Sequence, residues 1–582
     1  MSAALRQRLQ SLRVRGVLSD LDAHFAALLL DLHPGGDSPL ALAAALASRA
    51  AGEGHACMDL AAAAARSHFD DAWHAPPLDA WCDALAASGA AGPGEARRPL
   101  VIDGARLYLH RYWRYETEIA ANLRARVARN PAVDEARLAA GLDRLFGPAD
   151  PHELQRIAAE RAVRNAVMVI SGGPGTGKTT TVARVLALLL EQSPDRPLAV
   201  GLAAPTGKAA ARLQASLDVA RDSLGLSAPL RAALPRTAQT LHRLIGAGGA
   251  GGGVRHDAER PLPLDVLVVD EASMVDLAMA ARVVRALPPT ARLILLGDRD
   301  QLASVEPGSV FAALCAGLPA GNVVMLERSH RFPEGSGIGR LARAVRAGDA
   351  EAAIAVLESA PPELSWDEAP DPQRAVDLAM AGFEPLFEAV DAGADPARCF
   401  AALDRFRVLC ASRIGPLGAH AVNRGVITRL QSQGRVPRQL RTPAAGRGGH
   451  FVGQPLMVTR NDYGLRLFNG DVGVVVPDAP DGLSVAFPAE GGGHRTVALA
   501  RLPDCETVYA MTVHKSQGSE FDAALVLPAA ERAGLVTREL VYTAVTRVRR
   551  HAAILCGREA LAEAIRARAE RDSGLEDRLS AA

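Results

Sequence analysis

The segment GGPGTGKT at 172–179 combines glycines, one lysine and one hydroxyl in the pattern GxxxxGK[ST]. It follows the apolar run VMVISG and opens the helical stretch TTVARVLALLL. In that context the pattern is a phosphate-binding loop. The run Gly172, Gly173, Pro174, Gly175, Thr176, Gly177 lets backbone N–H groups close around phosphate oxygens, and the helix start adds its dipole. Lys178 is a compact cation able to reach the terminal phosphates, Thr179 offers a hydroxyl to Mg²⁺, and Thr180 adjoins them. Further along, VLVVDEAS (266–273) delivers Asp270 and Glu271 to a strand end. Asp270 suits water-mediated contact with Mg²⁺, and Glu271 suits a general base for an attacking water. In LLGDRDQL (295–302), Gln301 sits just beyond another strand end, placed to sense a γ-phosphate or orient water. A polar turn after a buried strand reads the same way. Together these residues imply hydrolysis of a nucleoside triphosphate with Mg²⁺.

Such a site needs strands to carry it. Runs at 167–172, 198–205, 264–271 and 291–298 read as buried parallel strands, each followed by a helical pattern. They predict a doubly wound α/β unit over 150–335, with a small insertion or hairpin at 214–263. Its glycine-rich part, 246–264, reads as a flexible loop or the turn of a short hairpin. Runs at 405–412, 522–528 and 551–556 predict a second α/β unit over 336–582. Within it, 440–502 holds short strands between Gly, Asn and Asp turns, which predicts a small inserted SH3-like β-barrel. Residues 1–115 are rich in Ala and Leu at helical spacing and predict a helical domain, joined through 116–149. The aromatic cluster Tyr108, Tyr112, Trp113 and Tyr115 reads either as core of that domain or as a docking surface.

Composition sets the class. The chain has 582 residues, 49% apolar and 22% charged, which excludes disordered, collagen-like and coiled-coil proteins. No apolar run is long enough to span a bilayer. The first residues scatter arginines and lack an apolar core, so no secretory signal is expected and a cytoplasmic location is. Seven widely spaced cysteines without a CxxC pair read as reduced thiols. The formal net charge is zero, so any nucleic acid must be held by a local groove. Only three of the 65 basic residues are lysine: Lys178, Lys208 and Lys515. Where arginine has replaced lysine almost everywhere, the surviving lysines mark places that need a compact ammonium.

The remaining motifs narrow the class further. APTGKAAARL (204–213), TLHRLIG (240–246), LERSHRF (326–332), YAMTVHKSQGSEF (509–521) and LVYTAVTRVRR (540–550) occur in that order. Order and content resemble superfamily 1 helicases of the RecD-type 5′→3′ branch, densely over 150–556 and weakly through the YWRYE region. The resemblance implies two RecA-like P-loop domains with one ATP site in their cleft. It makes Lys178, Glu271, Gln301, Arg331 and Arg547 catalytic, the two arginines approaching the γ-phosphate. Gln155 matches the glutamine that reads adenine, and His330 stands where many relatives carry an aromatic near adenine. Pro205, Thr206, Lys208, Thr240, His242, Thr512, His514, Lys515 and Ser516 match DNA-binding positions, and Asn461 lies on the inserted barrel, whose face is suited to help hold single-stranded DNA. Near Asn461, Tyr463 reads either as part of that face or as barrel core. The 246–254 excursion stands where relatives carry a strand-separating hairpin, but it has no bulky wedge.

The implied function is an ATP-dependent 5′→3′ translocase on single-stranded or tailed duplex DNA. It would be the motor of a RecBCD-type helicase–nuclease with RecB-like and RecC-like subunits, acting in repair and recombination without a membrane. The chain shows no second carboxylate constellation, so the resemblance leaves cleavage to a partner. One alternative is a stand-alone RecD-like helicase, although the helix–hairpin–helix repeats of such relatives are missing. Another is a subunit that uses ATP as a conformational switch, which Glu271, Gln301 and the two arginines argue against.

Overall fold

Apolar runs without polar alternation need cover on both faces, and they receive it here. The computed structural model describes residues 3–581 except 34–36, 70–72, 149–152, 248–252, 334, 394, 437–448, 463, 479–481, 490–492 and 530–533. Strands Val167–Gly172, Val200–Ala204, Val266–Val269 and Arg292–Gly297 pair in parallel. Val167 and Val169 pack into one apolar cluster, and Met168 and Ile170 into another on the opposite face. Two short strands not expected from the sequence, Val323–Leu326 and Ala238–Thr240, complete the edges. Strand order across this sheet places Val167–Gly172 between Val323–Leu326 and Arg292–Gly297. The loops that carry Lys178, Asp270, Gln301 and Arg331 therefore all leave the same edge of one parallel sheet.

A second parallel sheet runs in the order Leu364–Asp367, Val548–Leu555, Phe521–Leu527, Phe406–Cys410, Ala510–Thr512. Between its Phe406–Cys410 and Ala510–Thr512 strands the chain departs into an antiparallel sheet of five strands. These are Pro455–Val458, Val472–Asp478, Gly482–Pro488, His494–Ala498 and Cys505–Thr507. The insert has its own small core of Leu456, Val458, Leu467, Val475, Val485 and Phe487. Among the described residues its edge strands, His494–Ala498 and Cys505–Thr507, pair with other strands and not with each other. The expected β-rich insert is present, described as a five-stranded antiparallel sheet. Tyr463 and the 248–252 tip of the glycine-rich excursion lie outside the described residues. The described remainder of that excursion, 253–263, forms no strand.

The N-terminal region is not purely helical, which corrects the expectation. Its helices pack with a four-stranded sheet of Cys57–Asp59, Arg106–Leu109, Leu100–Asp103 and Ala91–Gly92. Alanine and leucine throughout masked strands only two to four residues long. The hairpin Leu100–Asp103/Arg106–Leu109 turns at Gly104, where φ is +59°. The next helix, His110–Val127, is continuous across residue 115, so the boundary expected there falls within one helix. Tyr108 and Tyr112 on this segment are buried, which makes the aromatic cluster mainly core. Arg126 of this helix donates to the carbonyls of Leu287 and Pro288, both at 2.8 Å, and so ties the helix to the first unit.

The C-terminal segment returns to this same region. The helix Leu575–Ser580 packs against His110–Val127 and Val310–Gly317. Its anchor is Glu116, fully buried, which accepts from Ser573 Oγ at 2.6 Å, Tyr108 Oη at 3.0 Å and the Gly574 amide at 3.1 Å. No helix among the described residues is long and apolar enough to cross a membrane. Glu116→Ala leaves these donors unpaired in a closed space and is expected to cost about 3 kcal/mol. The lower urea midpoint of the variant is the measurement.

Candidate ATP and DNA sites

The phosphate loop closes because two of its glycines take a backbone conformation that L side chains avoid. Gly175 has φ +77° and Gly177 has φ +79°. At Gly175 there is also no space for a side chain, and at Gly177 one would displace the end of Gln155. A Cβ on Gly175 would lie 2.3 Å from Arg331 Cβ, and one on Gly177 would lie 2.5 Å from Gln155 Nε2. Two distant segments therefore rest directly on the loop. Gln155 Nε2 donates to the Thr176 carbonyl at 3.0 Å and lies 3.5 Å from His330 Nε2. Ser329 Oγ donates to the Pro174 carbonyl at 3.0 Å, and the His330 amide to the Gly175 carbonyl at 2.8 Å. Gln155, His330 and the loop thus converge on one surface.

Lys178 begins the helix Lys178–Glu191, and its Nζ donates to the carbonyls of Gly172 (2.5 Å) and Gly173 (3.1 Å). No carboxylate among the described residues lies within ion-pair distance of it. Thr179 is half-buried in the first helical turn, and Thr180 is exposed there. Asp270 directly follows its strand, and Oδ1 accepts from the Glu271 amide at 2.8 Å. Burial and the neighbouring Glu271 push the Asp270 carboxyl up, while Lys178 pulls it down. Glu271 holds φ +50°, a strained geometry for a residue with a side chain.

The second unit closes over this surface. Gln301 is buried, donates to Asp298 Oδ2 at 2.9 Å and accepts from Arg547 Nη2 at 2.5 Å. Tyr542 Oη donates to Asp298 Oδ2 at 3.1 Å, the Leu302 amide to Thr543 Oγ1 at 2.9 Å, and Gln517 Nε2 to the Leu302 carbonyl at 2.8 Å. Arg331 Nη2 donates to Glu520 Oε1 at 2.5 Å. Arg331 Nη1 and Arg547 Nε are buried without a hydrogen-bond partner. The unpaired Arg331 Nη1, on a residue that rests against Gly175 of the phosphate loop, suits an anionic ligand. Asp298, Gln517, Glu520, Tyr542 and Thr543 were missed from the sequence although all lie in quoted motifs. Their only signal was position next to residues with assigned roles.

The expected DNA-binding residues divide. Lys208 and Lys515, from different units, line one cavity with Asp404 and Arg407. Lys515 Nζ donates to Glu506 Oε1 of the inserted sheet at 2.6 Å. His242 and Asn461 are exposed, and Pro205 is half-buried. Asn461 Oδ1 accepts from the Asn469 amide at 2.8 Å. Three hydroxyls serve their own helices or turns. Thr206 accepts from the Ala209 amide at 3.2 Å, Thr240 from the Arg243 amide at 3.2 Å, and Thr512 from the Lys515 amide at 3.4 Å. Ser516 is a correction. It is fully buried and donates to the Val513 carbonyl at 2.7 Å, so it supports its loop and offers nothing to DNA. His514 is half-buried; burial and then Arg571 lower its pKa, favouring neutral imidazole.

Three family models match the chain: an AAA domain over residues 155–307, a UvrD-like helicase C-terminal domain over 507–555, and the N-terminal domain of RecBCD enzyme subunit RecD over 14–108. Fold and site define a superfamily 1 DNA helicase built on two RecA-like P-loop domains. The chain is 42% identical over 570 residues to RecBCD enzyme subunit RecD of Mycolicibacterium smegmatis, covering 97% of this chain and 98% of that protein. It is 44% identical to the Mycobacterium tuberculosis subunit of the same name, covering 97% and 95%. It belongs to the family of RecBCD enzyme RecD subunits. An ATP-dependent RecD2 DNA helicase of Deinococcus radiodurans is 32% identical over 481 residues, which are 80% of this chain and 56% of that protein.

Burial alone would raise the Glu520 carboxyl, but Arg212, Arg331 and Arg549 outweigh it and hold it at about 2. A depressed carboxylate contributes stability above its unfolded value, near 4.5, and loses it as pH falls toward the folded value. The stability difference between wild type and Glu520→Gln should therefore hold from pH 7 to about 5 and shrink between about 4.5 and 2. Urea titrations of both proteins across that range measure it.

Proposed function

We propose that this chain is the ATP-driven 5′→3′ motor subunit of a RecBCD-type helicase–nuclease, working with RecB-like and RecC-like subunits. The observation that carries the reading is the bond from Arg547 to Gln301, which links the two RecA-like units directly. Lys178 binds the phosphates, Glu271 draws a proton from the attacking water, and Arg331 and Arg547 stabilise charge as it develops. Thr179 and Asp270 are the residues that would hold Mg²⁺, which when bound neutralises phosphate charge. Hydrolysis is then tied to closure, because Arg547 arrives only with the second unit. Each cycle of closure moves Lys208 relative to Lys515, and both face the same cavity. Alternating their grip on the sugar–phosphate backbone advances a single strand without reading bases.

Match over nearly the full length of RecBCD subunits supports the partnered form. The cysteines are free thiols, in keeping with a cytoplasmic setting. Co-elution of the purified chain with RecB-like and RecC-like subunits tests the partnership; elution alone refutes it. Lys178→Gln should reduce DNA-stimulated ATP hydrolysis to background with the fold intact by circular dichroism. Unwinding of a 5′-tailed duplex, and not a 3′-tailed one, tests the polarity. Lys208→Arg and Lys515→Arg conserve charge, yet each should lower DNA-coupled turnover several-fold because the guanidinium is larger and planar. Wild-type turnover in both would make the lysine scarcity compositional drift.

A further inference from the structure

One carboxylate that these roles leave unused sits in the middle of the cleft. The Glu520 side chain is only 6% exposed. It accepts from Arg331 Nη2 at 2.5 Å and from Arg549 Nη2 and Nε at 2.9 and 3.1 Å, and it pairs with Arg212. These arginines come from three places. Arg331 rests on the phosphate loop. Arg549 lies in the strand Val548–Leu555, just past Arg547. Arg212 lies one turn beyond Lys208 on the helix Gly207–Ser223.

The pairing with Arg331 is one-sided. Nη2 is committed to Glu520, while Nη1 is buried without a partner. A guanidinium is a rigid planar fork, so fixing one Nη fixes the direction of the other. A flexible arginine would otherwise spend its rotamer freedom on reaching the phosphate. Arg331 follows a strand of the first unit, whereas Glu520 precedes a strand of the second. The orienting group is therefore present only when the two units meet.

We propose that Glu520 is a positioning residue that aims Arg331 Nη1 at the γ-phosphate upon cleft closure, with Arg212 tying that alignment to the helix that opens beside Lys208. The inference rests on the reading of Arg331 as a phosphate-stabilising arginine. Glu520 needs no contact with nucleotide for this role, and its effect must pass through Arg331.

The experiment is a double-mutant cycle in the full chain with Glu520→Gln, Arg331→Ala and the pair, read as single-turnover ATP hydrolysis with single-stranded DNA. Equilibrium binding of ADP and of ADP–aluminium fluoride is measured alongside. Glu520→Gln should slow hydrolysis and weaken ADP–aluminium fluoride by tenfold or more, with ADP affinity within about twofold of wild type. In the Arg331→Ala background the same substitution should change the rate by less than about twofold. An equal loss in both backgrounds, a parallel loss of ADP affinity, or wild-type rates for Glu520→Gln each overturn the inference while leaving Arg331 in place. Wild-type hydrolysis by Arg331→Ala instead removes the reading on which it rests. Arg212→Ala should lower the stimulation by DNA at least threefold with DNA-free hydrolysis unchanged; full stimulation would remove the link to the Lys208 helix.

Discussion

The absence of side chains at Gly175 and Gly177 is the constraint from which the rest of the ATP site is built. Their positive φ values curl the loop, and the vacant Cβ positions admit Arg331 on one side and Gln155 on the other. Three segments far apart in the chain thereby share one small surface. The flanking strand is buried on both faces, so the loop has a rigid base. A binding site on rigid elements holds its geometry before any ligand arrives.

The contacts that close the cleft are few and mostly polar. Each hydrogen bond contributes on the order of 1 kcal/mol net, so together they hold two domains without locking them. Apolar anchors also cross the boundary: Leu302 and Phe332 join the core cluster of the second unit, and Leu575 and Leu579 join that of the first. A purely hydrophobic interface would not separate readily during a cycle. Polar contacts concentrated around Asp298, Gln301 and Glu520 instead make closure depend on exact alignment at the site.

The reach of the sequence followed the strength of local patterns. Continuous apolar runs and a glycine-rich loop between strand and helix are unambiguous signals, and the two α/β units were legible from them. The ordering of the motifs identified Arg331 and Arg547 among so many arginines. Short edge strands such as Val323–Leu326 and Ala91–Gly92 were not legible, because such short stretches carry no period. Alanine-rich composition hid the N-terminal sheet. The hydroxyl of Ser516 looked available for DNA because burial is decided by tertiary packing, which no local pattern records. Glu520 was overlooked for the same reason: its meaning depends on three arginines that only the fold assembles.

The return of the C-terminal segment has a mechanical consequence. The second unit leaves the first near Phe332, and the chain comes back through Asp572, whose carbonyl accepts from the Ala56 amide at 2.8 Å. Arg571 grips the Glu306 carbonyl at 3.0 Å beside it. The second unit is thus attached at two separated points and not one. A body tied at both ends of its chain has fewer ways to move than one tied at a single linker. Displacement of the second unit against the rest of the chain is therefore opposed at both places.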